Sequence, residues 1–333
     1  MSRPLLSMFI EPDPSEDELL FAGQLGVDCV YTWVRPEQRA YDYLARLRER
    51  VEAHGLRLYN VGNIAVAKND KIHLALPGRD QAIADFQAFV RDLGRAGIGV
   101  TTFTWEPTQV WSSAPGESRG AQARAVDLDE MLQRPYTHGR PYSEDEIWAN
   151  YTYFMGQMMP VCEDAGVRLA LHPNDPPSPR PLGGIPCLIH SFDTYRRAFA
   201  IADSPALGME FCCGCWLEGG AGFGDIFEGI RTFTAENRIL IVHFRNVTAA
   251  LPRFVETFLD NGYMDMYRVM KTFVQAGYRG TMILDHTPKF AGEYAKGGGA
   301  AYAIGYMRAL MERAQRWPRD ANFSKVGISV TTF

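Results

Sequence analysis

The chain lacks several features that would send it to a membrane, to nucleic acid or to the extracellular space. No apolar run in its 333 residues reaches the roughly 18 positions of a membrane span. Lysine and arginine form no block, and 34 basic against 39 acidic side chains leave a formal net charge of -5. A phosphate backbone is therefore excluded as the main partner. The six cysteines (29, 162, 187, 212, 213 and 215) show no disulfide-framework spacing. Reduced thiols and a cytoplasmic setting are expected. The opening MSRPLLSMFIEPDPSEDELL has too short an apolar core for a secretory signal. No G-x-G-x-x-G follows the first strand-like run, which weighs against an open dinucleotide-binding sheet. No internal repeat is present.

What is there is 46% hydrophobic residues and a regular alternation of two patterns. Short β-rich runs fall at 5–11, 28–34, 56–66, 98–105, 167–173, 207–212, 238–247 and 280–286. Between them, segments such as YDYLARLRERVEAHG and MDMYRVMKTFVQAG repeat apolar residues every three or four positions, the period of a helix with one buried face. PSEDELL carries a Ser-x-x-Glu helix start. Eight strand–helix units predict an α/β fold, a (β/α)8 TIM barrel, as a single catalytic domain over residues 1–320. Residues 106–142 break the rhythm as a long irregular insertion after the fourth strand, and insertions of that length often serve as lids. The tail at 321–333 is set apart; within it, 323–333 is strand-like and suited to an oligomer contact.

In such a barrel the chemistry lies at the C-terminal ends of the strands. The last four strands end in His172, Cys212, His243 and Asp285, spaced 40, 31 and 42 residues apart. Each gap is about one strand–helix unit, so the four side chains are expected side by side on one rim. Two imidazoles, a thiolate and a carboxylate make a divalent transition-metal site. Cys213 and Cys215 are read as packing residues, because no second half of a zinc knuckle accompanies them.

HPNDPP (172–177), GGIP (183–186), FCCG (211–214), HFRNV (243–247), F-x-E (254–256), N-G-x-x-D-M (261–266), DH (285–286) and YAIG (302–305) resemble the mannonate dehydratases, relatives of the xylose-isomerase-like barrels. The likeness runs over roughly 60–310, with the motifs in the family's order. It implies that His172, Cys212, His243 and Asp285 bind one manganese or ferrous ion. It also implies removal of water from a sugar acid, with His286 and Tyr302 moving protons. Arg245 and Asn246 would meet substrate oxygens, Arg245 through a planar fork that matches a carboxylate. Trp105, with Trp111 and Tyr136 in or beside the insertion, is a candidate sugar-stacking face. The resemblance further suggests a homo-oligomer.

The chain also departs from the family pattern. Cys187 stands where an arginine is usual, Leu259 where a histidine is usual, and residues around Gly62 and Ala67 where a glutamate and a histidine are usual. Thr287-Pro288 replaces a glycine after the Asp-His pair. An intact cage with an altered surround predicts the same chemistry on a changed substrate and poor turnover of mannonate. A sugar isomerase or epimerase on the same barrel is the alternative; the cysteine in the metal set favours the dehydratase.

Overall fold

The computed structural model describes residues 3–108, 110–295 and 297–316. Its central sheet has eight strands: β1 (Leu5–Phe9), β2 (Cys29–Trp33), β3 (Arg57–Gly62), β4 (Val100–Thr104), β5 (Arg168–His172), β6 (Leu207–Cys212), β7 (Ile239–His243) and β8 (Thr281–Ile283). Every ladder between them is parallel, in the order β3-β2-β1-β8-β7-β6-β5-β4. The first strand pairs with the last, Leu5 opposite Thr281. β3 and β4 lie side by side without a ladder, so the sheet curls into a nearly closed barrel. The predicted TIM barrel is the observed fold.

Eight longer helices surround the sheet: α1 (Glu16–Gln24), α2 (Tyr41–Ala53), α3 (Arg79–Arg95), α4 (Glu144–Ala165), α5 (Phe192–Ala202), α6 (Ile226–Ala235), α7 (Met266–Ala276) and α8 (Gly298–Arg316). Their spacing explains their docking. On α7, Met266, Val269, Met270 and Phe273 recur at three- and four-residue intervals, and all four are buried. Burying a side chain of this size contributes about 1.5–3 kcal/mol. Truncating Phe273 to alanine would cost about 3–5 kcal/mol. The Ser15 hydroxyl caps α1 through Glu18 N–H, as the sequence motif predicts. The Glu18 carboxylate, however, accepts from Glu11 N–H rather than from the cap residue, so only half of a capping box forms.

Two expectations change here. The third apolar run does not continue as strand to 66: β3 stops at Gly62 and Ile64–Ala67 forms a helical turn. The Trp33 ring lies against Gly62 where a Cβ would come within 2.5 Å of it, so no larger side chain fits at that point. The insertion is also more regular than its composition suggests. Gly116–Ser118 and Ala121–Ala123 form a hairpin, and Ala125–Asp127 pairs antiparallel with Arg253–Thr257. Arg253–Thr257 pairs in turn with Asn246–Val247, the segment just past β7. The strand-like tail lies outside the described residues.

Candidate metal centre

Strand register brings the ligand-type residues together. Cys212 sits directly opposite His243 across the β6–β7 ladder, and His243 opposite Ile283 of β8, two residues before Asp285. Because side chains alternate along a strand, Glu210 shares the inward face of Cys212, one layer deeper. Asp285 itself has a left-handed backbone, φ 67°. Few non-glycine residues adopt that conformation, and such positions cluster at functional sites.

Donor atoms of Cys212, His243 and Asp285 all lie within 4.8 Å of one another. His172 joins Cys212 in a second such group, with Cys215, and joins His243 in a third, with Glu210. The four predicted residues therefore occupy one overlapping cluster.

Each imidazole is oriented by a partner on its other nitrogen. His172 Nδ1 is 2.7 Å from the Pro173 carbonyl oxygen, so this nitrogen carries the proton and Nε2 keeps a lone pair. His243 Nε2 is 2.6 Å from Glu210 Oε1, and Glu210 Oε2 accepts from the Thr102 hydroxyl. His243 Nδ1 is buried and makes no hydrogen bond, although Asp285 Oδ2 lies 3.2 Å away. A basic nitrogen facing a carboxylate at that distance calls for positive charge between them. The protonation energetics agree. Burial opposes charge on His243, but Asp285 and Glu210 outweigh it and raise its pKa well above the usual value. Burial pushes the Cys212 thiol up, but hydrogen bonding with Cys215 and the charge of Arg245 hold it well below the ordinary thiol range. Asp285, also opposed by burial, is held below the usual carboxylate range chiefly by His243 and His286. A thiolate and a carboxylate beside two oriented imidazoles fit a divalent cation, which would take the place of the second proton on His243.

The expected substrate-facing residues behave differently. Arg245 is 1% exposed, and protein groups take up both terminal nitrogens of its fork. Nη1 lies 2.7 Å from Glu218 Oε1 and 2.5 Å from Glu256 Oε1. Nη2 meets Asp175 Oδ2 at 3.0 Å and Cys212 Sγ at 3.3 Å, and Nε is 3.2 Å from Asp285 Oδ2. Its charged contacts are with the chain's own carboxylates and thiol. Asn246, fully buried, spends its amide on the Leu259 and Met264 carbonyls and on Val247 N–H, tying down the 259–264 loop. Trp105 is fully buried against His73, Tyr151 and Phe154, a core position that no sugar reaches. The Tyr302 hydroxyl donates to Asp260 Oδ1 at 2.5 Å, and Asp260 is gripped by Arg119. His286 is 45% exposed, with Nδ1 2.7 Å from Glu256 Oε2 and Nε2 3.3 Å from Asp285 Oδ2.

Sequence reasoning missed a second buried cluster. Arg124, carried in by the insertion, is 2.7 Å from Asp175 Oδ1, 3.0 Å from Glu256 Oε1 and 3.7 Å from Glu218 Oε1. Glu256 was visible only as part of F-x-E, and Asp175 only as the one acidic residue of HPNDPP. Nothing in the local sequence around Arg124 marks it. Cys215, read as packing, places its sulfur beside Cys212. A cleft of about 530 Å³ opens from Asp285 along Phe9, Glu11, Phe21, Tyr31, Leu284 and Ile304, and none of the described residues that line it is basic.

This fold and donor set define a TIM-barrel metalloenzyme. The model of the D-mannonate dehydratase (UxuA) family matches residues 33–127 and 123–320, and the chain belongs to that family. A mannonate dehydratase of Thermotoga maritima is 28% identical over 322 residues, covering 83% of this chain and 88% of that one. One from Streptococcus pneumoniae is 28% identical over 347 residues, covering 92% and 93%. The crystal structure of mannonate dehydratase from Streptococcus suis serotype 2 superposes with a TM-score of 0.84 at 25% identity, covering all of both chains.

Proposed function

We propose that the protein is a metal-dependent hydro-lyase that removes water from a sugar acid to leave a 2-keto-3-deoxy acid. The observation that carries this reading is the overlapping cluster of His172, Cys212, His243 and Asp285, with an unpaired imidazole nitrogen turned toward a carboxylate. These four would hold one divalent ion; manganese or ferrous iron suits their mixture of thiolate, imidazole and carboxylate. A cation there supplies Lewis-acid stabilisation of the charge that builds beside the substrate carboxylate when the neighbouring carbon loses its proton. The chain's own part is to place and move protons. His286, at the mouth and backed by Glu256, is assigned the proton transfer, because one ring nitrogen is oriented by a carboxylate and the ring stays accessible. The Tyr302 hydroxyl is committed to Asp260, so we assign Tyr302 to holding the 258–260 segment. The docked insertion is assigned the part of a cover over the buried charges.

The cleft beside Asp285 argues about specificity. None of the described residues along it is basic, so among them a second anionic group on the substrate finds no partner, and we take a monoanionic sugar acid as the substrate class. Leu259 is 1% exposed, and burial pushes the Cys187 thiol up to about 12, so neither replaces the charged residue expected at its position. Mannonate itself is expected to turn over slowly.

A screen of sugar acids and keto-sugars with manganese, read by mass, tests the proposal. Loss of one water from a sugar acid is the expected result. An unchanged mass with altered stereochemistry would instead mean an isomerase or epimerase. Fast conversion of mannonate to 2-keto-3-deoxygluconate would overturn the claim of changed specificity alone.

A further inference from the structure

Cys212-Cys213-Gly214-Cys215 is a C-x-x-C sequence, and its outer sulfurs meet. Cys212 ends β6 and Cys215 lies in the short helix Cys213–Gly219 that follows at once. The two sulfurs lie within 4.8 Å of each other. Cys212 Sγ accepts from Cys215 N–H at 3.5 Å, and Arg245 Nη2 reaches both sulfurs, at 3.3 Å and 3.6 Å. A Cβ at position 214 would collide with the Arg245 guanidinium, so the glycine between the thiols is what lets the arginine lie against them. A sulfur held by a cationic side chain and a backbone N–H, with a second thiol one helical turn away, is the arrangement that supports reversible dithiol chemistry.

We propose that Cys212 and Cys215 form a redox-active dithiol that shares Cys212 with the metal centre and closes to a disulfide when a hydroperoxide meets the metal-free protein. The steps balance. The Cys212 thiolate attacks one peroxide oxygen; an S–O bond forms, the O–O bond breaks, and the departing hydroxide takes a proton to become water. Cys215, losing its proton, attacks the sulfenic sulfur; an S–S bond forms, the S–O bond breaks, and a second water leaves. Two thiols give up two electrons and one peroxide becomes two waters. The disulfide withdraws a ligand from the cage, so oxidation and metal binding exclude each other. A small-molecule dithiol restores the pair by exchange.

Chelator-treated protein is mixed with a small excess of hydrogen peroxide, its thiols are counted, and its peptides are mapped by fragmentation. Two of the six thiols should disappear, with a Cys212–Cys215 link that a dithiol reductant reverses. Preloading with manganese should slow the loss at least about tenfold, because a metal-bound thiolate is a poor nucleophile toward peroxide. Cys213→Ala should keep the link, whereas Cys215→Ala should lose it and carry Cys212 on to the sulfinic acid. Retention of all six thiols, a link that vanishes in Cys213→Ala, or equal oxidation with and without manganese would each overturn the proposal. Thiol counts do not depend on the substrate, so this test stands or falls apart from the lyase assignment.

Discussion

Two buried polar clusters lie against each other at the ends of the late strands, and they meet their charges in opposite ways. Just past the strand ends, Arg124 and Arg245 face Asp175, Glu218 and Glu256. Burial would raise Asp175, but Arg124 and Arg245 bring it to about 2, whereas burial and the charge of Asp175 raise Glu218 well above the usual carboxylate value. Two guanidinium charges then balance two ionised carboxylates. At the rim, Cys212, Asp285 and Glu210 bring negative charge to His243, whose Nδ1 has no hydrogen-bond partner. The positive charge that faces Asp285 there is supplied by a proton on His243 or by a bound cation in its place.

Substitutions can break this contrast. The largest effect is expected from Cys212→Ala, which removes a ligand that the first cluster cannot replace. Metal and activity should be lost while circular dichroism keeps the barrel signature. Several kcal/mol of charge stabilisation corresponds to a rate loss on the order of 10³. Full metal occupancy in the variant would end the assignment. Arg245→Met attacks the other cluster and leaves buried carboxylates without their partner. Denaturant melts should show a loss of about 3–5 kcal/mol, and an unchanged midpoint would mean the cluster is not self-compensated as described. Glu210→Ala should loosen His243 and weaken metal binding about 10- to 100-fold in chelator competition. Glu210→Gln, which can still accept from Nε2, should recover part of that loss, and equal affinity in all three proteins would remove Glu210 from the site.

An effect confined to acid pH, and so the smallest at neutral pH, sharpens the contrast with a histidine whose shift owes nothing to an anion. Burial, helped by Lys68, lowers His73 to about 3. The unfolded chain therefore binds a proton that the folded one refuses as pH drops below about 6.5. This contribution to stability is complete above that pH and falls by about 1.4 kcal/mol per unit between there and pH 3. His73→Asn should flatten the acid limb of the stability profile relative to the parent chain, and parallel profiles would show that His73 is not the group responsible.

Much of the site was legible because strand ends are legible. Residues 172, 212, 243 and 285 close apolar runs one unit apart, and parallel pairing must bring consecutive strand ends to one rim. The burial of the expected substrate-facing residues has a reason that lies outside any local pattern. Arg245 and Asn246 stand just beyond a strand end, as ligand-contacting residues do, and Trp105 stands beside an insertion, as sugar platforms do. Whether such a side chain turns to solvent or into the core depends on what packs over it. For Arg245 the answer came from Asp175, Glu218, Glu256 and Cys212, up to 70 residues away in the chain.

The order of apolar and polar residues alone determined a barrel of parallel strands and the four side chains at its late rim, because hydrophobic period and chain length leave few other arrangements. Tertiary structure decided the rest: that Arg124 joins the charged cluster from an insertion, that Arg245 is buried beside Cys212 and Asp285, and that the Cys215 sulfur lies near that of Cys212. Those contacts join segments with no common periodicity, and only the folded chain sets the distances over which charge and sulfur act.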